Sequence, residues 1–249
     1  MPQFLGGLRN GLDDGAPQVK VSFHLTDDCQ LRCVDCHWFS GPITPSRPRP
    51  PAAYIQWSER WKPAEIRLTG GEPALYPGLD ELVLGLHCQK LVLCTNGESL
   101  DTLSGLPARE GVEMWVGRNR EVDEQFERTL QAIGVAKGWR VGFVTYRGPL
   151  AEVRNEVACG EDLTELLGSR VSCQTRRIRF ASDGWAYNCE VGLRTKDERL
   201  RCGFGLDQGT PEISTKVCVV EEGCLSCFVN EQAYEVVERG RSQRPSTST

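Results

Sequence analysis

The 249-residue chain is long enough for one α/β domain with a small appendage and a substantial core. Its formal net charge of −5 makes no overall electrostatic case for nucleic acid. Most of its 29 basic residues are arginines, whose forks suit phosphates and carboxylates, but a GC-rich genome produces the same bias.

The start, Met1-Pro2-Gln3-Phe4-Leu5, lacks a secretory signal pattern, and no run approaches a transmembrane span. The expected setting is therefore cytoplasmic, without a membrane partner. In such a setting twelve cysteines favour metal over disulfides.

Strands and helices alternate through the first two thirds, as parallel βα units should. The first strand, expected over 19–25, runs into Thr26-Asp27-Asp28-Cys29, where Cys29, Cys33 and Cys36 form a C-x3-C-x2-C triplet. Three thiolates can hold three irons of a cubane 4Fe–4S cluster and leave the fourth iron open for chemistry. Structural zinc instead wants four ligands, usually as two separated pairs, and His37 is the nearby candidate for a fourth. Asp27 and Asp28 are expected to shape the loop rather than act as bases. A proline-rich loop over 40–51 precedes a helix at 52–61.

The next strand, 65–68, ends in Thr69-Gly70-Gly71-Glu72-Pro73. Two glycines let a backbone approach a ligand closely, and a carboxylate with backbone carbonyls is what a ligand ammonium needs. A helix at 79–86 leads to a strand at 90–94 and the turn Thr95-Asn96-Gly97. A strand at 112–116 precedes Gly117-Arg118-Asn119-Arg120, a helix at 124–133 and a strand at 139–146. Further helices are expected at 150–157 and near 162–167. A strand at 177–181, an Asp183-Gly184 turn and a second strand reaching Cys189 read as a hairpin.

The cysteine triplet, Gly70-Gly71-Glu72-Pro73, Thr95-Asn96-Gly97 and the helix Phe126-Glu127-Arg128-Thr129-Leu130 together, in this order, resemble the radical S-adenosylmethionine (radical SAM) superfamily. The resemblance implies a partial (β/α)6 barrel, open on one side, with its ligands at the C-terminal ends of the strands. It implies that Cys29, Cys33 and Cys36 hold a 4Fe–4S cluster whose open iron chelates the amino and carboxylate groups of SAM. Gly70, Gly71, Glu72 and Pro73 then bind the SAM amino group, and Thr95, Asn96, Arg118 and Asn119 are further candidate SAM contacts. One departure is Asp35, where the family usually has an aromatic residue; His37 and Trp38 are available to compensate.

Beyond position 150, Cys173, Gly184 and Cys189 form a C-x10-G-x4-C hairpin resembling the SPASM/Twitch extensions that hold auxiliary 4Fe–4S clusters. Cys224 and Cys227, opening a helix expected through 233–238, supply the second pair. The longer cysteine array of a two-cluster SPASM domain is absent, so a Twitch-like extension fits better. Zinc in the same four thiolates is the alternative, and Cys202 and Cys218 leave the ligand set open. Cys88, Cys94 and Cys159 have no assigned role. The expected organisation is a radical SAM core over 15–172, a Twitch-like auxiliary iron–sulfur extension over 173–238 and a disordered tail over 239–249.

The function implied is reductive cleavage of SAM to a 5′-deoxyadenosyl radical, which abstracts a hydrogen atom from substrate. An electron-accepting auxiliary cluster favours oxidation, by dehydrogenation or cross-linking, of a small molecule or peptide in a biosynthetic pathway. The alternative is a redox-neutral isomerase or epimerase acting on a modified nucleotide or nucleic-acid base. A third reading, of another class, is a non-catalytic iron–sulfur electron carrier. The enzyme readings require a reducing electron donor such as flavodoxin or ferredoxin.

Overall fold

A computed structural model describes residues 19–31, 48–118, 123–145, 170–174, 177–187, 193, 201–207, 216–219 and 233–238. In chain order these form β1 (Lys20–His24), α1 (Pro51–Trp61), β2 (Glu65–Thr69), α2 (Leu79–Gly85), β3 (Lys90–Thr95) and α3 (Leu100–Gly105). There follow β4 (Val112–Arg118), α4 (Glu124–Lys137), β5 (Arg140–Thr145), β6 (Arg170–Gln174), β7 (Arg177–Phe180), β8 (Trp185–Tyr187), β9 (Arg201–Gly205), β10 (Lys216–Val219) and β11 (Ala233–Glu238). The six strands expected between 19 and 181 are present within a residue or two of their expected ends, and the second strand of the expected hairpin is described over Trp185–Tyr187. The short helix α3 was not expected. The helices expected at 150–157 and near 162–167 lie outside the described residues.

The main sheet has eight strands in the order β5-β4-β3-β2-β1-β7-β8-β9. From β5 to β7 every neighbouring pair is parallel, and β8 and β9 are added antiparallel. From β1 to β5 each new strand joins on the same side of its predecessor. With crossovers of one hand, that progression puts every connecting helix on a single face. The core agrees: Tyr54 and Trp57 of α1, Leu82 of α2, Leu103 of α3 and Leu130 of α4 share one apolar cluster with Phe23, Ile66, Leu93 and Met114.

Side chains alternate across a strand. Ser22, His24, Arg67, Cys94, Trp115 and Arg179 therefore face away from the helices. A singly wound parallel sheet thus has one apolar face, under helices, and one face lined with polar and charged groups.

On the helix side, Phe23 at the centre of the sheet packs against Tyr54, Trp57 and Phe180 at ring-centroid distances of 5.0, 5.8 and 5.5 Å. Each such aromatic buries far more apolar area than an aliphatic residue. Their clustering fixes α1 over β1 and β7.

Charges lie across the entry ends of the strands. Arg177 Nη2 meets Glu65 Oε1 at 3.0 Å, Lys90 Nζ meets Glu65 Oε2 at 3.8 Å and Glu113 Oε2 at 2.8 Å, and Arg140 Nη1 meets Glu113 Oε1 at 3.1 Å. Burial alone pushes the Glu65 carboxyl up, but the Arg177 guanidinium, with Arg67 and Lys90, outweighs it and holds the pKa below the ordinary value. A depressed pKa contributes stability above the unfolded-state value, about pH 4.3, and loses it as pH falls through the folded-state value. In urea unfolding from pH 6 to pH 3, the stability advantage of the native protein over Glu65→Gln is expected to shrink once pH drops below about 4. A gap independent of pH would show that the pair contributes no charge-linked stability.

A second sheet has three antiparallel strands in the order β10-β6-β11. Here the helix expected through 233–238 is corrected: Ala233–Glu238 is a strand paired to β6. The segment Tyr234-Glu235-Val236-Val237 is aromatic and β-branched, which suits a pleated surface, and the ladder to Arg170–Gln174 overrides any helical continuation of the preceding cysteine pair.

Candidate active site

The loops that carry the first two motifs are stitched together backbone to backbone. β1 and β2 pair in register from Lys20↔Glu65 to His24↔Thr69, and the pairing continues past both strands. Leu25 N donates to Thr69 O at 2.8 Å, Gly71 N to Thr26 O at 2.7 Å and Glu72 N to Asp28 O at 2.7 Å. Cys29 is the next residue along. The glycines are what permit this approach. A Cβ on Gly70, which has φ +143°, would sit 2.5 Å from Thr26 O, and one on Gly71 would sit 2.2 Å from Asp28 O.

Glu72 turns inward and is fully buried. Its Oε1 accepts from Thr95 Oγ1 at 2.6 Å and from Ala74 N at 2.9 Å, while Oε2 accepts from Asn96 N at 2.7 Å. Burial pushes this carboxyl's pKa up, and these three donors pull it back. The bond to Ala74 caps the 3-10 turn Pro73–Leu75. The bonds to Thr95 and Asn96 lock the exit of β3 onto the exit of β2. Half-exposed Gly71 is the most accessible of the four motif residues. Glu72→Ala leaves three buried donors without their acceptor, at an expected cost of about 3–5 kcal/mol in chemical unfolding. Glu72→Gln, which keeps one carbonyl oxygen, should cost about half as much. Equal stability for all three proteins would exclude a bracing role.

Asn96, 8% exposed, sits at the crossing point of the motifs. Its Nδ2 donates to Cys29 Sγ at 3.6 Å, and its Oδ1 accepts from Glu98 N at 2.9 Å and Gln30 Nε2 at 3.5 Å. Gln30 Nε2 also donates to Ser99 Oγ at 3.2 Å. Neither the Asn96–Cys29 contact nor the role of Gln30 was expected. The partners are 67 and 66 positions apart, and no local spacing signals a contact across that distance.

Asp27 shapes the loop, as expected. Its Oδ1 lies 2.8 Å from His24 Nε2, and its Oδ2 accepts from Ser182 Oγ at 3.2 Å, joining the exit of β1 to the β7–β8 turn. Thr26 Oγ1 accepts from Asp28 N at 3.1 Å.

Of the expected SAM-cluster ligands, Cys29 is described; Cys33 and Cys36 lie outside the described residues, as does Asn119. Arg118 closes β4, beside Thr145 of β5. Of the expected auxiliary ligands, Cys173 lies in β6, and Cys189, Cys224 and Cys227 lie outside the described residues. Cys202 is buried in the apolar core, and Cys88 packs partly against it. Burial pushes the Cys94 thiol up to about 11, which keeps it protonated at neutral pH.

A half-exposed cysteine whose sulfur receives an amide N–H, at the C-terminal edge of a parallel sheet, suits a thiolate ligand of an iron–sulfur cluster. Among the described residues no helix is long and apolar enough to cross a membrane.

No protein-family model matches the chain. It is 34% identical over 113 residues to an S-adenosylmethionine-dependent nucleotide dehydratase of a Thermoplasmatales archaeon (strain ISO4-H5), a match covering 43% of this chain and 40% of that protein. It is 30% identical over 95 residues to a probable GTP 3′,8-cyclase of Pyrococcus abyssi, covering 36% of this chain and 31% of that protein. The chain thus spans well under half the length of either relative. Among solved structures, BtrN in an open conformation superposes with a TM-score of 0.44 at 16% identity, over 72% of each chain. The first of these relatives is named as dependent on S-adenosylmethionine, and the matches to both lie within the part of each protein that this chain spans.

Proposed function

We propose that this chain is a radical SAM enzyme, and that its SAM site is the junction of the β1, β2 and β3 exits. The observation that carries the reading is the joining of Cys29, Gly70–Glu72 and Thr95–Asn96 by direct hydrogen bonds, although they are far apart in sequence. Cys29, Cys33 and Cys36 would hold the cluster, which would supply the electron for reductive cleavage of SAM and so the means of hydrogen abstraction from substrate.

The residues' own work is positional. Gly70 and Gly71 hold the two loops at backbone contact distance, and half-exposed Gly71 presents its peptide group beside Cys29 to the SAM ammonium. Glu72 braces that loop from beneath and fixes Thr95 and Asn96. The architecture we infer for the core is a partial (β/α)6 barrel, with the polar face of the sheet as its lumen. The core then takes in β7, which pairs in parallel with β1, together with β8 and β9, and the division at 172–173 gives way to a Twitch-like extension built on β6, β10 and β11.

For the substrate we favour a nucleotide, as in the relatives' names, and with it the redox-neutral isomerase or epimerase alternative raised by the sequence. Oxidation of a small molecule or peptide is the second reading, and it depends on an auxiliary cluster at Cys173, Cys189, Cys224 and Cys227. A low-potential donor of the flavodoxin or ferredoxin type would supply the electron.

One experiment separates the two readings: iron and sulfide analysis after anaerobic reconstitution, with SAM cleavage under dithionite. About four irons with deoxyadenosine formation is expected for redox-neutral chemistry, and about eight would favour oxidation. No deoxyadenosine at either iron content would sink the enzyme reading and favour an electron carrier.

A further inference from the structure

Asn96 has two hydrogen-bonding ends, and the fold allows them one orientation. Its Oδ1 faces the Glu98 N–H at 2.9 Å, a group that can only donate, so the end facing Cys29 Sγ at 3.6 Å must be the Nδ2 donor. Gln30 Nε2 reinforces that orientation by donating to the same Oδ1 at 3.5 Å. The Asn96 backbone is held as well, because its N–H donates to Glu72 Oε2 at 2.7 Å. The amide N–H is therefore aimed at the sulfur.

A hydrogen bond to a cluster sulfur is stronger when the sulfur carries more negative charge. One-electron reduction of a thiolate-held cluster adds such charge, so a fixed donor favours the reduced state and raises the reduction potential. We propose that Asn96 is a positioning residue that acts through Cys29: its amide holds the Cys29 sulfur and eases reduction of the cluster. Glu72 extends this link. The carboxylate that braces the SAM loop also fixes the donor to the cluster thiolate, so the two halves of the site are mechanically one. The inference rests on reading Cys29 as a cluster ligand.

The test is a redox titration of the reconstituted full chain, followed by electron paramagnetic resonance without SAM. Asn96→Ala is expected to disfavour reduction roughly tenfold, which is ~59 mV for one electron, toward more negative potential. Asn96→Asp keeps the shape and the acceptor for Glu98 but turns an acceptor toward the sulfur, so it should titrate lower still. A residue that merely fills space predicts an unmoved potential for Asn96→Ala, the aspartate's added charge lowering the potential in either case. An unmoved potential in Asn96→Ala overturns the inference.

Should the variants hold no iron, pulsed resonance on the reduced cluster of ¹⁵N-asparagine-labelled protein, with Asn10, Asn119, Asn155, Asn188 and Asn230 replaced so that Asn96 alone carries the label, decides instead. A nitrogen coupling supports the contact, and its absence refutes it. If the native protein forms no reducible cluster, the cluster reading fails and takes this inference with it. A normal native signal with Asn96→Ala unmoved sinks this inference alone.

Discussion

Alanine in place of Cys29 is expected to abolish deoxyadenosine formation while leaving the fold intact. Loss of one of three cluster thiolates should exceed the 10–100-fold effect typical of outer-shell partners, taking SAM cleavage to background. The same change costs the apoprotein little. Cys29 is half-exposed, and its amide–sulfur hydrogen bond from Asn96 is worth about 1 kcal/mol. Iron content, deoxyadenosine yield and urea unfolding of the apoprotein measure the three quantities separately. Cys33→Ala should match it in iron loss and yield. Full cleavage activity in either variant, at normal purity, would refute the cluster assignment.

The second large effect is expected at Gly71. A methyl group there would lie 2.2 Å from Asp28 O, 2.6 Å from its carbonyl carbon and 2.8 Å from Asp27 O, all backbone atoms. The loop cannot step aside cheaply, because Gly71 N and Glu72 N are both bonded to the opposing strand exit. Gly71→Ala should therefore cost about 2–4 kcal/mol, combining overpacking with two weakened hydrogen bonds, and should reduce SAM affinity more than tenfold. Gly105 is the control. A Cβ there meets nothing within 4 Å, and Gly105→Ala at the end of α3 should be neutral or stabilising by up to about 1 kcal/mol. Calorimetric titration with SAM and chemical unfolding would read both. If Gly71→Ala binds and unfolds like the native protein, the close approach of the loops is not needed for the site.

The two variants probe different parts of one design. Cys29 is chemical and tolerant of its surroundings, whereas Gly71 is mute chemically and constrained by backbone on every near side. The unifying element is Glu72. Its carboxylate could have been an exposed ligand for an ammonium, but the fold spends both oxygens on Ala74, Thr95 and Asn96.

The parallel strands were legible because their signals are local. Val-Ser-Phe-His, Ile-Arg-Leu-Thr and Leu-Val-Leu-Cys are short apolar or alternating runs, each followed by a turn motif, and all become neighbours in the sheet. The segment at 233–238 was misread because a preceding cysteine pair suggested a helix start. Its partner strand, Arg170–Gln174, lies some sixty residues earlier, and strand pairing cannot be seen from one side. The helix α3 was missed for a related reason: six residues with a terminal glycine carry too little periodicity to stand out.

What the sequence determined by itself is the chemistry on offer: the thiols at Cys29, Cys33 and Cys36, the glycines that permit close approach, and the βα rhythm that sends each motif to a strand exit. Those are properties of residue type and spacing, set within a few residues along the chain. The tertiary structure alone decided what the polar side chains do with one another. Glu72 became a brace rather than an exposed carboxylate, Asp27 joined His24 to Ser182, and the Asn96 amide came to rest on the Cys29 sulfur. Each of these depends on the sheet register that brings β1, β2 and β3 side by side. A buried polar group must find a partner, and which partner it finds is set by three-dimensional neighbours rather than by sequence.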